Sequence, residues 1–293
     1  MKPPASPAAG ETPPRPPFFE RLAERCRKTQ SSLCIGLDPD PRRIPKHLGH
    51  GPESIYNFCV EIIEATADSA AAFKPNLGFF ESIGVEGWNV LEQVLRAMPP
   101  DVPVILDAKR GDIGSTARHY AHALFDRMGA GAVTVNPYMG LDSVEPFLEH
   151  RNCGVYLLCL TSNPGAKDFQ LHDDLYLRVA RKTVDWNKHG NCGLVVGATK
   201  PQYLSSILAV APELPLLIPG LGAQGGDLET IMHTAPGLPL HHLLFNVSRS
   251  ILYASNDHTF GHQARMAARY YANRIQTVRE KTLEGPKEAE GQE

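Results

Sequence analysis

The feature that most constrains this chain is a repeat of form: eight times in succession, a short and mostly apolar run is followed by a longer amphipathic one. The short runs are "SSLCIGLD" (31–38), "AAFKPNLG" (71–78), "PVILDAKR" (103–110), "AVTVNPY" (132–138), "GVYLLCLTS" (154–162), "CGLVVGAT" (192–199), "PLLIPGLG" (215–222) and "HHLLFNVSRS" (241–250). Near-continuous apolar runs of this length suit strands of a parallel sheet covered on both faces. The segments between them, such as "ESIYNFCVEIIEATADS" and "DLYLRVARKTVDWNK", have helical spacing. Strict strand–helix alternation predicts an α/β protein. Eight units in one chain favour a closed (β/α)8 TIM barrel over an open sheet. The span from 17 to 282, roughly 265 residues, fits one such domain of ~250 residues. A further helix, "FFERLAERCRKTQ" (18–30), precedes the first strand. The first strand runs into "DPDP", so the glycine turn of a dinucleotide-binding fold is missing there.

The two ends read differently. Residues 1–16 and 283–293 are rich in Pro, Ala, Gly and Glu, and disordered tails are expected there. The N-terminus has no apolar core of a secretory signal, and no run is long enough to span a bilayer. The expected location is therefore the cytoplasm. A formal net charge of −3 lacks the basic excess of a nucleic-acid or anionic-membrane binder, so neither partner is expected. That balance still permits a local pocket for one phosphate. None of the 6 cysteines forms a C-x-x-C pair, and buried, reduced thiols account for them.

Chemistry in a barrel of this kind gathers at the C-terminal ends of the strands. Here those ends are polar: Asp38 closes the first strand, Lys74 lies in the second, and Asp107, Lys109 and Asp112 follow along the third. The fourth ends in Asn136, the fifth in Thr161 and Ser162, and the sixth in Thr199. Asp107 and Lys109 are two apart and share a face of a regular strand. With Lys74 on the neighbouring strand, an alternating Lys–Asp–Lys–Asp array is expected. Alone, D-x-K-x-x-D also suits a structural ion-pair network, or a helix cap by Asp112. A second constellation is "IPGLGAQGGD" (218–227), where Gly220, Gly222, Gly225 and Gly226 let backbone N–H groups turn toward an anion at a helix start. Arg249 follows the eighth strand. Loops after strands seven and eight are frequent phosphate sites in barrels, so loop and arginine together point to a phosphate ligand. His119, His122, His241 and His242 lack the spacing of a metal cluster, and Trp88, Trp186 and "RYY" (269–271) read as packing.

These motifs together resemble one family. "LDAKRGDI" with a lysine on the preceding strand, "TSNPG", "PGLGAQGGD" and the arginine after the last strand are similar to orotidine 5′-phosphate decarboxylases, and "FKPNLGFFE" and "VVGAT" to their longer bacterial subgroup. The likeness runs from about 31 to 253. It implies decarboxylation of orotidine 5′-phosphate to UMP, without metal or cofactor, in a homodimer with shared sites. It implies that Asp38 and Lys74 contact the ribose and Asp107 faces the substrate carboxylate. Lys109 would protonate the ring carbon, while Asp112 and Thr116 reach the partner's site. Ser162 would bind the pyrimidine, and Gln224 and Arg249 the phosphate, beside Gly222. One departure is Ser248, where many members have glycine. Two rival readings stay open: a magnesium-dependent phosphosugar decarboxylase or aldolase, and a barrel that binds nucleotide phosphate without turnover. The first is disfavoured by Lys74, whose charge repels a cation.

Overall fold

The structure is a computed structural model, and it describes residues 15–284. Apart from residues 15, 16, 283 and 284, the tails expected from the sequence lie outside the described residues. All eight expected strands form: β1 (Leu33–Leu37), β2 (Ala72–Pro75), β3 (Ile105–Arg110), β4 (Ala132–Val135), β5 (Gly154–Leu160), β6 (Cys192–Val196), β7 (Leu216–Pro219) and β8 (Leu243–Val247). They pair in parallel in the order β2-β1-β8-β7-β6-β5-β4-β3. Bridges Phe73–Val104 and Asn76–Asp107 join β2 to β3, which closes the ring. The expected (β/α)8 barrel is thus the observed fold.

Alternation along each strand sorts side chains into two layers. Leu33, Ile35, Leu37, Phe73, Leu106, Val133, Leu157 and Phe245 point outward into the shell of helices. Cys34, Ala72, Ile105, Ala132, Tyr156, Val195, Leu217 and Leu244, one per strand, fill the barrel interior. Phe18, Leu22 and Cys26 of the helix Phe18–Thr29 join that inner cluster, so the extra N-terminal helix plugs the bottom of the barrel. Two details depart from the sequence reading. The segment after β2 begins with a separate short helix, Leu77–Glu81, and the helix after β3 widens into a π-helical stretch at His122–Arg127. Trp88 and Trp186 pack against the core as expected, whereas Tyr270 is exposed because it falls on the solvent side of the long last helix, Phe260–Glu284. Among the described residues, no helix is long and apolar enough to cross a membrane.

Candidate active site

One step above the apolar inner layer, the next inward positions change character. On β2, Lys74 follows Ala72 at the inward alternation, and on β3 Asp107 follows Ile105. Lys74 is 4% exposed, yet its Nζ lies 2.7 Å from Asp107 Oδ2. Lys109 Nζ donates to the other oxygen, Oδ1, at 2.5 Å. Thr134 Oγ1, from β4, donates to the same Oδ1 at 2.9 Å. Asp107 is therefore a carboxylate held between two ammonium groups. Burial alone would raise its pKa, but the charges of Lys74 and Lys109 and their hydrogen bonds prevail and hold it well below the usual carboxylate range. The converse holds for Lys74. Burial opposes its charge, but Asp107 and Asp38 outweigh that and raise its pKa above the ordinary lysine value.

Lys109 reaches Asp107 by a route that regular alternation does not describe. The pairing of β3 with β4 shifts register between Leu106 and Arg110, a β-bulge, and Lys109 has φ 46° in the left-handed region. Its backbone N–H donates to Thr134 Oγ1 at 3.0 Å. The side chain is half-exposed and opens to the barrel mouth.

Asp38, Lys74, Asn76 and Asp107 line one side of a cleft of about 190 Å³. Gly220, Gly222, Ala223 and Gln224 of the loop after β7, with Asn246, Ser248 and Arg249 from β8 and its loop, line the other. Gly220 takes φ 103°, which a side chain disfavours, and Gln224 folds over it, with Oε1 2.6 Å from where a Cβ would stand. Arg249 begins a short helix, Arg249–Leu252, and is exposed toward solvent. The expected anion loop and its arginine thus face Lys74 and Asp107 across one cleft, and Lys109 is tied to Asp107 by its hydrogen bond.

Three expected site residues stand apart from it. Asp112 lies in the loop before the helix Gly114–Ala121, where its Oδ1 accepts from the Ile113 N–H at 2.8 Å, and Thr116 is exposed on that helix. The expected four-member array is therefore a three-member one within this chain, because β3 ends at Arg110 and Asp112 lies in the loop beyond it. Ser162 follows β5, and its carbonyl accepts from Thr199 Oγ1 at 2.9 Å.

The sequence reading passed over Thr134, Asn76 and Asn246. Thr134 looks like any β-branched strand residue in "AVTVNPY", and its inward alternation from Ala132 was the available signal. Asn246 is buried with Oδ1 unpartnered, and its Nδ2 donates to Ser248 Oγ at 3.3 Å. Ser248 fills the space left by Gly36, where a Cβ would stand 1.9 Å from the serine Oγ. Serine at 248 has φ −117°, outside the left-handed region that favours glycine. Asp38 Oδ1 is a second buried oxygen without a partner. Buried acceptors left open beside a cleft invite donors from a ligand.

Comparison with known proteins agrees with this geometry. The family model for the orotidine 5′-phosphate decarboxylase / HUMPS family matches residues 31–263. The chain is 50% identical over 257 residues to orotidine 5′-phosphate decarboxylase of Roseiflexus sp. (strain RS-1), covering 86% of this chain and 94% of that protein. It is 46% identical over 260 residues to that of Herpetosiphon aurantiacus, covering 87% and 96%. Among solved structures it is similar to the OMP decarboxylase of Leishmania donovani, with TM-score 0.79, 39% identity and coverage of 90% of this chain and 99% of that one. A protein of Toxoplasma gondii described as a putative orotidine-monophosphate-decarboxylase gives TM-score 0.84 at 37% identity, covering 92% and 99%.

Proposed function

The chain belongs to the orotidine 5′-phosphate decarboxylase family, and from that premise we propose that its barrel mouth converts orotidine 5′-phosphate to UMP and CO2 with Lys109 as proton donor and with no metal or cofactor. The enzyme is a carboxy-lyase of pyrimidine biosynthesis. The observation that carries the mechanistic reading is the Lys109–Asp107–Lys74 cluster opening on the cleft of the Gly220–Gln224 loop.

In the reaction the bond from the ring carbon to the carboxylate breaks and its electron pair stays on that carbon. CO2 departs, and Lys109 gives a proton to the carbon. Gln224, Arg249 and the N–H groups of the loop after β7 hold the phosphate. Asp38 and Lys74 take the ribose hydroxyls, and Ser162 takes the pyrimidine. Asp107 faces the substrate carboxylate, and two carboxylates ~4 Å apart repel by about 4 kcal/mol at an effective dielectric of 20. Enzymes lower barriers by roughly 8–23 kcal/mol. Repulsion is then a minor contribution, and stabilising the developing carbanion by the ammonium of Lys109 is the major one. The depressed pKa of Asp107 supports this, since a permanent carboxylate keeps a positive partner beside it.

The active unit is a homodimer in the cytoplasm, with Asp112 and Thr116 completing the partner's site. Exposed apolar side chains around these residues support that: Ile113 and Tyr120 beside them, and Tyr138, Met139 and Leu141 after β4. Tyr138 is 78% exposed in the single chain, and an apolar group so placed favours a covered face.

The test is the loss of absorbance as orotidine 5′-phosphate becomes UMP, measured with and without EDTA. Turnover that EDTA leaves unchanged is expected. UMP binding without turnover, or activity that a chelator abolishes, overturns the reading. Lys109→Ala is expected to abolish turnover while retaining UMP binding.

A further inference from the structure

We propose that Thr134 is a positioning residue for the catalytic pair, setting Asp107 and Lys109 through a single hydroxyl. The inference rests on the decarboxylase reading of the site. The β-bulge removes the backbone around Lys109 from the ladder between β3 and β4, so the Lys109 N–H needs another acceptor. Thr134 Oγ1 is that acceptor, at 3.0 Å. A backbone N–H can only donate, so the one hydroxyl proton is left for Asp107 Oδ1, at 2.9 Å. The direction of the chain is fixed: Lys109 N–H to Thr134 hydroxyl to Asp107 carboxylate. Thr134 is 1% exposed, so water does not readily replace it in either bond.

This hydroxyl couples two geometries. One is the left-handed backbone of Lys109, φ 46°, a conformation that a lysine adopts only when its surroundings hold it there. The other is the rotamer of Asp107, whose second oxygen is committed to Lys74. The next residue anchors the far side of the bulge. Arg110 pairs with Glu81, from the short helix after β2, and lies over the Tyr120 ring at 5.4 Å. Arg110 fixes where the strand leaves the barrel, and Thr134 fixes how Lys109 turns back to Asp107. Proton donation depends on placement within a fraction of an ångström, so a group that touches no substrate governs the rate.

The test compares Thr134→Val, which keeps the shape and loses the hydroxyl, with Thr134→Ser, which keeps the hydroxyl. Expected for Thr134→Val is a fall in kcat of roughly tenfold or more. KM for orotidine 5′-phosphate and the calorimetric Kd for UMP should stay within about threefold, because the phosphate and ribose contacts come from other strands. Thr134→Ser is expected to restore kcat to within about threefold of the parent. Thermal melts accompany each variant, and Thr134→Ala is read in the same way if Thr134→Val does not fold. An unchanged kcat in the folded hydroxyl-less variant overturns the inference. So does equal loss in Thr134→Ser, which would mean that the methyl group matters and the hydroxyl does not. A parent protein that binds UMP without turning over orotidine 5′-phosphate removes the decarboxylase reading itself, and this inference with it. An active parent with an indifferent Thr134→Val removes only this one.

Discussion

Replacing Asp107 by asparagine keeps the shape of the side chain and removes the charge that holds Lys74 in the barrel. Lys74 is almost wholly buried, 2.7 Å from that carboxylate. Removing one member of a buried ion pair leaves an uncompensated charge and costs about 3–5 kcal/mol. The Asp38 carboxylate also bears on Lys74, so the lower figure, about 3 kcal/mol, is expected for Asp107→Asn. Lys74→Met removes the buried cation, and Asp107 keeps Lys109 and Thr134 as donors. Losing one hydrogen bond to a charged group then costs about 1.5–3 kcal/mol. The double variant Asp107→Asn/Lys74→Met has no buried charge left unpaired in this cluster. It is expected to be more stable than the sum of the single losses by about 2 kcal/mol, within the coupling range of contacting residues. Urea denaturation at one fixed protein concentration, extrapolated linearly, reads all four corners of the cycle. All three variants should lose turnover, so the cycle is read in stability alone. The sign with pH also follows. A carboxyl with a depressed pKa contributes stability that is complete above its ordinary value of 3.8 and is lost as pH falls below it. The coupling should therefore be full at pH 7 and shrink below pH 3.8. Additive losses at pH 7, within about 0.5 kcal/mol, would refute the claim that Asp107 compensates the buried lysine.

Other expected outcomes concern the loops and the barrel floor. A Cβ at Gly197 would stand 2.7 Å from the Ser162 Cα and N, so Gly197→Ala must push the loop after β5 aside; kcat/KM should fall roughly 10–100-fold, and a folded variant within twofold of the parent would separate Ser162 from pyrimidine binding. At the other end of the barrel, burial, His242 and Arg27 hold His241 down to about 4, and burial also lowers His242. The unfolded chain then binds more protons between pH 6.5 and about 4, so stability drops as pH falls through that window; His241→Gln/His242→Gln should recover about 1–2 kcal/mol of it, after discounting for half-exposure, and an unchanged pH slope of urea midpoints would contradict this. Mixing inactive Asp112→Ala and Lys109→Ala chains under subunit exchange should revive up to about one quarter of the sites in a shared-site dimer, while a mixture that stays inactive despite proven exchange would place the action of Asp112 within its own subunit.

The barrel was legible because each strand is buried on both faces and so is written as an unbroken apolar run, as in "GVYLLCLTS". The site was legible for a related reason. On four strands of this barrel the apolar interior stops within one step of the alternation, and the next inward residue is polar. Ala72 gives way to Lys74, Ile105 to Asp107, Ala132 to Thr134 and Leu244 to Asn246. A charged or polar residue two places after an inward apolar one at a strand end is thus a signal of position as well as of composition. The signal is strong for Lys74 and Asp107, because charged residues are almost never buried unless they are paired. It is weak for Thr134, which suits any strand. The bulge at Lys109 left no such mark, since a left-handed lysine is selected by its hydrogen bonds to other strands and not by its neighbours in sequence. Alternation would carry Lys109 inward on a regular strand, along the wall above Asp107. The bulge instead turns it back onto Asp107 while leaving its ammonium half-exposed at the mouth. That placement suits the proton donor proposed for it: Lys74, nearly buried at the cleft wall, holds the carboxylate charged from one side, and Lys109, half-exposed, pairs with it from the other.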